Sequence, residues 1–300
     1  MIFTNRIKGK YKLEAVKKNA SGVIISKRKL TDWFDNLITN AGLNLHATTN
    51  CVASVSIGTG SSIPSVSDTS LAAAANSVTL DSVESYKLQE SPYYAYSRYY
   101  FEFPTGINNA FTEVGIFSSG GTMFSRSLIE DAVGDPTIIN VLSDEILVIY
   151  YELQVYQDFV QSSGSVDFTG IHGGTYSYLL KPAYASLSVG DSGDCITVAN
   201  NLTIHQFETV LGSVTDGPVG EECSVTGVDY SYSSYVNNSF YREVSIRIPV
   251  DAGNSNNSTG IHAIGFTVGF HSWQMLFTPY IPKTNVDVVT LIFAVTWRRY

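Results

Sequence analysis

The chain has 300 residues and a net charge of −9; hydrophobic residues make up 44% of it and charged residues only 15%. So little charge excludes a Glu/Lys-rich coiled coil, and 19 Tyr with 15 Phe exclude a disordered chain. No apolar run reaches the roughly 18 residues of a membrane helix, and at about 100–200 residues per domain the length suggests two domains.

The charge is unevenly placed. Residues 1–30 hold nine bases, Arg6, Lys8, Lys10, Lys12, Lys17, Lys18, Lys27, Arg28 and Lys29, against the single acid Glu14, which leaves −17 on the remainder. A basic arm on an acidic body reads as a docking element for an acidic protein surface, or as a solvated hairpin whose lysines protect its edges. Nucleic acid is the weaker partner, because the arm has little aromatic interleaving and no known binding module. The opening residues lack the apolar core of a secretory signal. The Asn-x-Ser/Thr sites at Asn201, Asn237, Asn256 and Asn257 therefore read as polar loops, and Cys51, Cys195 and Cys223 as reduced thiols.

In chain order, Tyr11 to Val16 and Val23 to Ser26 flank a turn and predict a hairpin. Leu30 to Ala41 is the one helix expected, with Thr31 as N-cap, Asp32 at its positive end and Gly42 as its stop. Trp33, Leu37 and Ile38 would form its buried stripe. Trp33, Phe34 and Leu37 would add apolar contact to docking, and removal of residues 1–30 is expected to leave the rest folded. Beyond this, alternating runs at Tyr93 to Phe103, Ile146 to Tyr156, Glu243 to Pro249 and Val286 to Trp297 predict strands. Many short strands separated by Gly- and Ser-rich turns give an all-β fold of two tandem antiparallel sandwiches, jelly-roll-like, after the N-terminal hairpin and helix.

Internal duplication supports the tandem reading. Ser56-Ile-Gly58-Thr-Gly60 matches Ser188 to Gly193, Arg98 to Pro104 matches Arg242 to Pro249, and Glu113-Val-Gly115-Ile-Phe117 matches Ala263-Ile-Gly265-Phe-Thr267. Met123 to Arg126 aligns with Met275 to Thr278, and each half ends on a long apolar strand. The boundaries expected are a docking arm over 1–45, a first sandwich over 46–160 and a second over 161–300, with a flexible link at Gln161 to Ser165.

Asn36 to Leu43, Ile57 to Gly60, Asp68 to Leu71, Thr112 to Phe117 and Phe124 to Arg126 together resemble tailed-bacteriophage virion proteins of the tail-fibre, collar and baseplate-associated type. The likeness covers residues 11–156; in the second half Ala263 and Thr278 stand where Glu113 and Arg126 do. The resemblance implies a structural or adsorption protein of the virion, assembled in the host bacterial cytoplasm as a symmetric oligomer with other virion proteins and without a cofactor. Competing readings are a host-glycan receptor-binding protein, a capsid decoration protein and a polysaccharide depolymerase.

The residues themselves carry little catalytic signal. The five histidines lack metal-ligand spacing, no Gly-x-Ser-x-Gly elbow occurs, and Gly58 and Gly60 lack the lysine of a phosphate loop. No enzyme activity, metal or cofactor is therefore expected. Gly58 and Gly60 read as a tight turn, and Gly115 and Gly265 as a bulge or a close backbone approach. Glu113 and Arg126 read as a cross-strand brace rather than a functional dyad. Tyr94, Tyr96, Arg98 and Tyr100 share one strand face, either buried or offered to glycan or a neighbouring subunit; Tyr232 and Tyr235 form a similar looped cluster.

Overall fold

The structure, a computed structural model, describes residues 2–47, 51–87, 94–157, 161–168, 173–183, 202–223, 225–252, 260–268 and 271–300. It opens with strands β1 (Ile2–Lys18), β2 (Ile24–Lys29), β3 (Phe34–Asp35) and β4 (Leu37–Ile38), then the six-residue helix α1 (Asn40–Leu45). The first half continues with β5 (Ser54–Gly58), β6 (Ala74–Thr79), β7 (Ser82–Lys87), β8 (Tyr94–Glu102), β9 (Asn109–Phe111), β10 (Glu113–Phe117), β11 (Met123–Leu128), β12 (Ile139–Val141) and β13 (Ile146–Gln157). The second holds β14 (Ser162–Phe168), β15 (Gly174–Ala183), β16 (Thr203–Val210), β17 (Val219–Cys223), β18 (Asp229–Tyr232), β19 (Tyr241–Ile248), β20 (Ile261–Val268), β21 (His271–Ile281) and β22 (Val289–Arg299). The fold is all-β, as the alternation predicts.

The two halves repeat one topology. The sheet β4-β11-β10-β5-β6 has the strand order of β15-β21-β20-β16-β17, and β13-β8-β7 recurs as β22-β19-β18. Those two three-strand groups are joined through β1 in the order β18-β19-β22-β1-β13-β8-β7, and β2 and β3, which also pair with β1, complete a nine-stranded sheet. β1 pairs antiparallel with β13 over Asn5 to Val16 and parallel with β22 over Ile2 to Ile7.

This placement corrects the docking-arm expectation. Alternation through Phe3, Ile7, Tyr11 and Leu13 sends one face of β1 into the core. Phe3 packs on Trp273 (4.6 Å) and Phe293 (5.5 Å) of the second half, and Tyr11 on Tyr151 (5.0 Å) and through its hydroxyl on Ser125 (3.0 Å) of the first. One strand thus packs against both halves, whose buried apolar residues form one continuous cluster. The hairpin with β2 does form.

The helix over Leu30 to Ala41 does not form. Residues 34–35 and 37–38 pair instead with β1 and β11, where sheet edges offer hydrogen bonds that outweigh local helix preference. Thr31 is buried and its hydroxyl accepts from the Leu13 amide (2.9 Å), while Asp32 pairs with Lys29. The helix starts later, capped by Thr39, whose hydroxyl accepts from the Gly42 amide (2.8 Å). Gly42 is inside that helix, not its stop: a Cβ there would lie 2.0 Å from the Phe124 carbonyl oxygen. Gln161 to Ser165 runs into β14 rather than forming a free link.

The landmark alignment also shifts. Gly115 faces Ser56 and Arg126, and Gly265 faces Thr203 and Gln274. Gln274, not Thr278, therefore stands where Arg126 does, and β16 is the counterpart of β5; Ser188 to Gly193 lie outside the described residues. The matches of β8 with β19 and of β10 with β20 agree with the topology.

Candidate functional site

Two constellations gather the residues singled out by the sequence. The first is a buried clamp. Arg126 lies opposite Gly115, two residues from Glu113, so its guanidinium meets that carboxylate through Nε (3.1 Å) and Nη2 (2.9 Å). Both side chains are buried. Glu113 also accepts from the backbone N–H groups of Gly60 (3.0 Å), Ala72 (3.0 Å) and Ala73 (2.7 Å). Arg126 also donates to Asp68 Oδ2 (2.6 Å) and to the Ser62 carbonyl (2.9 Å) and hydroxyl (2.8 Å). The pair thereby pins the long loop between β5 and β6 at both ends.

The glycines follow from that clamp rather than from a tight turn. A Cβ on Gly58 would lie 2.7 Å from Glu113 Oε1, and one on Gly60 2.3 Å. Gly115 is a close approach, with Leu71 Cδ2 3.1 Å from a Cβ position, and Gly265 lies under Thr203 Oγ1 at 2.5 Å. Burial alone would raise the Asp68 carboxyl, but the Ser65 amide and the bond and charge of Arg126 outweigh it and hold it below the usual range. A depressed carboxylate contributes stability above its ordinary pKa and loses it as pH falls through the folded value. The loop is thus tightest above about pH 4.

The second half carries a neutral version of the clamp, which sequence reading missed. Buried Gln274 donates to the carbonyls of Pro182 (2.9 Å) and Ser213 (2.9 Å) and accepts from the Gly212 amide (2.7 Å). It holds the loop between β16 and β17, the counterpart of the first-half loop. Its signal was a polar residue in an apolar strand at the Arg126 register.

Glu113→Ala is expected to cost about 3–5 kcal/mol, because it strands a buried guanidinium and three loop amides. Adding Arg126→Gln, so that the first half carries the Ala263 and Gln274 types, should cost less than the sum of the single changes. Urea unfolding of the four proteins checks this. A loss below about 1 kcal/mol for Glu113→Ala would contradict the clamp.

The second constellation is the outer face of the nine-stranded sheet. It brings the basic residues and the tyrosines together, with β13 between them. Across β1, β13 and β8 the rows are Arg6, Tyr156 and Tyr94; Lys8, Gln154 and Tyr96; Lys10, Glu152 and Arg98; Lys12, Tyr150 and Tyr100. Tyr99 and Phe101 point the other way, into the core. Glu152 is buried and accepts from Arg98 Nε (3.1 Å) and Nη2 (2.7 Å), while the Tyr156 hydroxyl donates to Gln154 (2.8 Å). The Arg98 guanidinium lies over both Trp33 (5.5 Å) and Tyr96 (5.4 Å). Tyr300 closes the row against Tyr156 (4.6 Å) and Arg6 (4.7 Å).

The same geometry gives most of these bases an acidic partner within the chain. Lys8 and Lys10 pair with Asp35, Lys12 and Lys27 with Glu14, Lys17 with Asp144, Lys18 with Glu102, Arg28 with Glu145 and Lys29 with Asp32. Burial would raise the Glu14 carboxyl, but Lys12 and Lys27 outweigh it and hold it low. Phe34 is buried against Tyr11 and Leu37 is half-buried, so neither is free to dock.

Tyr232 and Tyr235 separate in role. Tyr232 is exposed with Arg242 over its ring (4.1 Å). Tyr235 packs on Trp297 (5.5 Å) and donates to Asn44 (2.6 Å), joining α1 to the second half. His172, Cys195 and residues 191–194 lie outside the described residues. Among the described residues no three His, Cys, Asp or Glu side chains converge in a metal-binding group. Comparison with protein-family models, curated proteins and solved structures finds no match.

Proposed function

We propose that this chain is a structural component of a tailed-phage virion, associated with the tail, tail fibre or collar. It is assembled in the host cytoplasm, works by contact with copies of itself and other virion proteins, and catalyses no reaction. The observation that supports this reading is the convergence of Gly58, Gly60, Asp68, Leu71, Glu113, Gly115 and Arg126, which carry the phage-protein resemblance, around one clamped loop. Outside Asn36 to Leu43 the likeness therefore centres on a single structural device, and the hydrogen bonds of its charged groups hold that loop. Quantitative mass spectrometry of purified particles tests it. The chain is expected at a fixed ratio to the major tail proteins; presence in infected-cell lysate but not in particles would refute the assignment.

Host-glycan recognition is the second reading, favoured by the outer face, where Arg98 is held in place between Trp33 and Tyr96 beside the half-buried Tyr94 and Tyr100. Binding to host-surface polysaccharide that is lost in Trp33→Ala and Tyr96→Ala, with unchanged melting, would support it; equal binding by those variants would exclude that face.

A further inference from the structure

We propose that the free edge of β2 is an assembly surface that adds to the free edge of β17 in a second copy of this chain. β2 pairs with β1 on one side only, and all six of its residues are exposed. Val23, Ile24 and Ile25 are 59%, 51% and 65% exposed, side by side on a hairpin rim. A strand edge carrying such aliphatics is a template for pairing with another strand. Its bases, Lys27, Arg28 and Lys29, are each about half-exposed although ion-paired within the chain.

Charge selects the partner edge. β2 presents three bases and no acid. The other terminal strands of the sheets carry at most one acid each, except β17, which is Val-Gly-Glu-Glu-Cys with no base. Glu221 and Glu222 are exposed, and among the described residues neither is ion-paired. Val219 on that strand and Val210 opposite it are both 58% exposed. In parallel register Ile25 faces Val219, Lys27 faces Glu221 and Arg28 faces Glu222, so apolar meets apolar and base meets acid along one strand pair. Pairing of β2 with the β2 of another copy would instead bring two sets of three bases together.

Joining two different edges is a head-to-tail contact. It propagates into a ring or a filament rather than stopping at a two-fold dimer. This inference deepens the assembly reading proposed above. That reading is tested in particles and this one on isolated protein, so each can fail alone.

The experiment is sedimentation velocity of the full-length protein across concentration, at low salt and at about 0.5 M salt, where exposed charge pairs are screened. Concentration-dependent species larger than a dimer, weakened by salt, are expected. Glu221→Lys with Glu222→Lys should reduce the association constant on the order of tenfold or more, and Ile24→Ser with Ile25→Ser should do the same with unchanged melting. Lys29→Glu, at a well-exposed position on the same strand face as Lys27 and diagonal to Glu221 in this register, should weaken association alone and recover part of it when combined with Glu221→Lys. A wild-type protein that stays monomeric at high concentration would overturn the proposal. So would association insensitive to the β17 changes but lost with the Ile24 and Ile25 changes, which would assign β2 to a different partner edge.

Discussion

Removal of residues 2–18 is expected to abolish folding of both halves, not to trim an arm from a folded body. β1 holds the middle of the nine-stranded sheet, with β13 on one side and β22, β3 and β2 in turn along the other. Its deletion strips backbone partners from all of these. It also removes Phe3, Ile7, Tyr11, Leu13, Ala15 and Val16 from the core, each at most 3% exposed. At about 1.5–3 kcal/mol for each large apolar side chain, that loss alone is comparable with the roughly 5–15 kcal/mol that holds a domain folded. A point change reports on the same strand more gently. A Cβ on Gly9 would lie 2.4 Å from both the Asn36 side chain and the Tyr151 hydroxyl, so Gly9→Val should lower the melting temperature sharply. Circular dichroism melts and limited proteolysis of the deletion and of Gly9→Val test this. A truncated chain that still unfolds cooperatively, with protease-resistant cores for both halves, would show that β1 is dispensable.

Why the sequence hid this strand is instructive. Ile7 to Leu13 is a strict alternation, Ile-Lys-Gly-Lys-Tyr-Lys-Leu. Its bases attract attention as a charge run, while on its core face a glycine and a tyrosine stand between the aliphatics Ile7 and Leu13. The period of two was nonetheless present. The helix at Leu30 to Ala41 failed for a different reason: local caps and spacing compete with unpaired sheet edges, and no local signal reports where those edges lie. The glycine pair Gly115 and Gly265 located the duplication well, because each sits where another group closes over the backbone. Matching methionine to methionine misled, since side-chain identity in an apolar strand is weaker information than pairing register, and the structure pairs Gly265 with Gln274. The clamp was half legible. The Glu113 and Arg126 pairing could be read from strand order, but the loop amides it holds come from residues 60–73, and only the fold brings them there. On the outer face, the tyrosine side of β8 was readable from alternation, whereas its union with the bases of β1 required knowing that β13 lies between them.

Stability is expected to begin falling at about pH 6.5 because of His46. His46 caps the end of α1 through its backbone N–H and is 1% exposed, and among the described residues neither ring nitrogen has a hydrogen-bond partner. Burial drives its pKa down to about 3. A base whose folded pKa lies below its unfolded value is neutral in the native state. Its contribution is whole above the unfolded value near 6.5, declines as pH falls, and is exhausted only below the folded value. At 1.36 kcal/mol for each pH unit, the loss is about 2 kcal/mol by pH 5 and about 4–5 kcal/mol by pH 3. Half-buried His262, also lowered by burial, adds a smaller change of the same sign. The carboxylates held low by Lys and Arg, Glu14, Asp68, Glu102 and Glu145, lose their contribution only on further acidification, so the acid profile should have two stages. The first stage acts at a joint. His46 lies beside Trp297 (6.3 Å), whose indole N–H donates to the Leu43 carbonyl (2.8 Å), and Arg242 donates to the carbonyl of neighbouring Ala47 (2.7 Å). A proton on His46 would place an uncompensated charge between α1 and β22, close to a second cation, so α1 should loosen from the second half first. His46→Phe is expected to remove the early stage and, by deleting two unsatisfied polar atoms, to leave the neutral-pH protein no less stable. Urea unfolding read by tryptophan fluorescence between pH 7 and pH 4 decides the matter. If wild type and His46→Phe give parallel curves over that range, His46 is not the group that titrates.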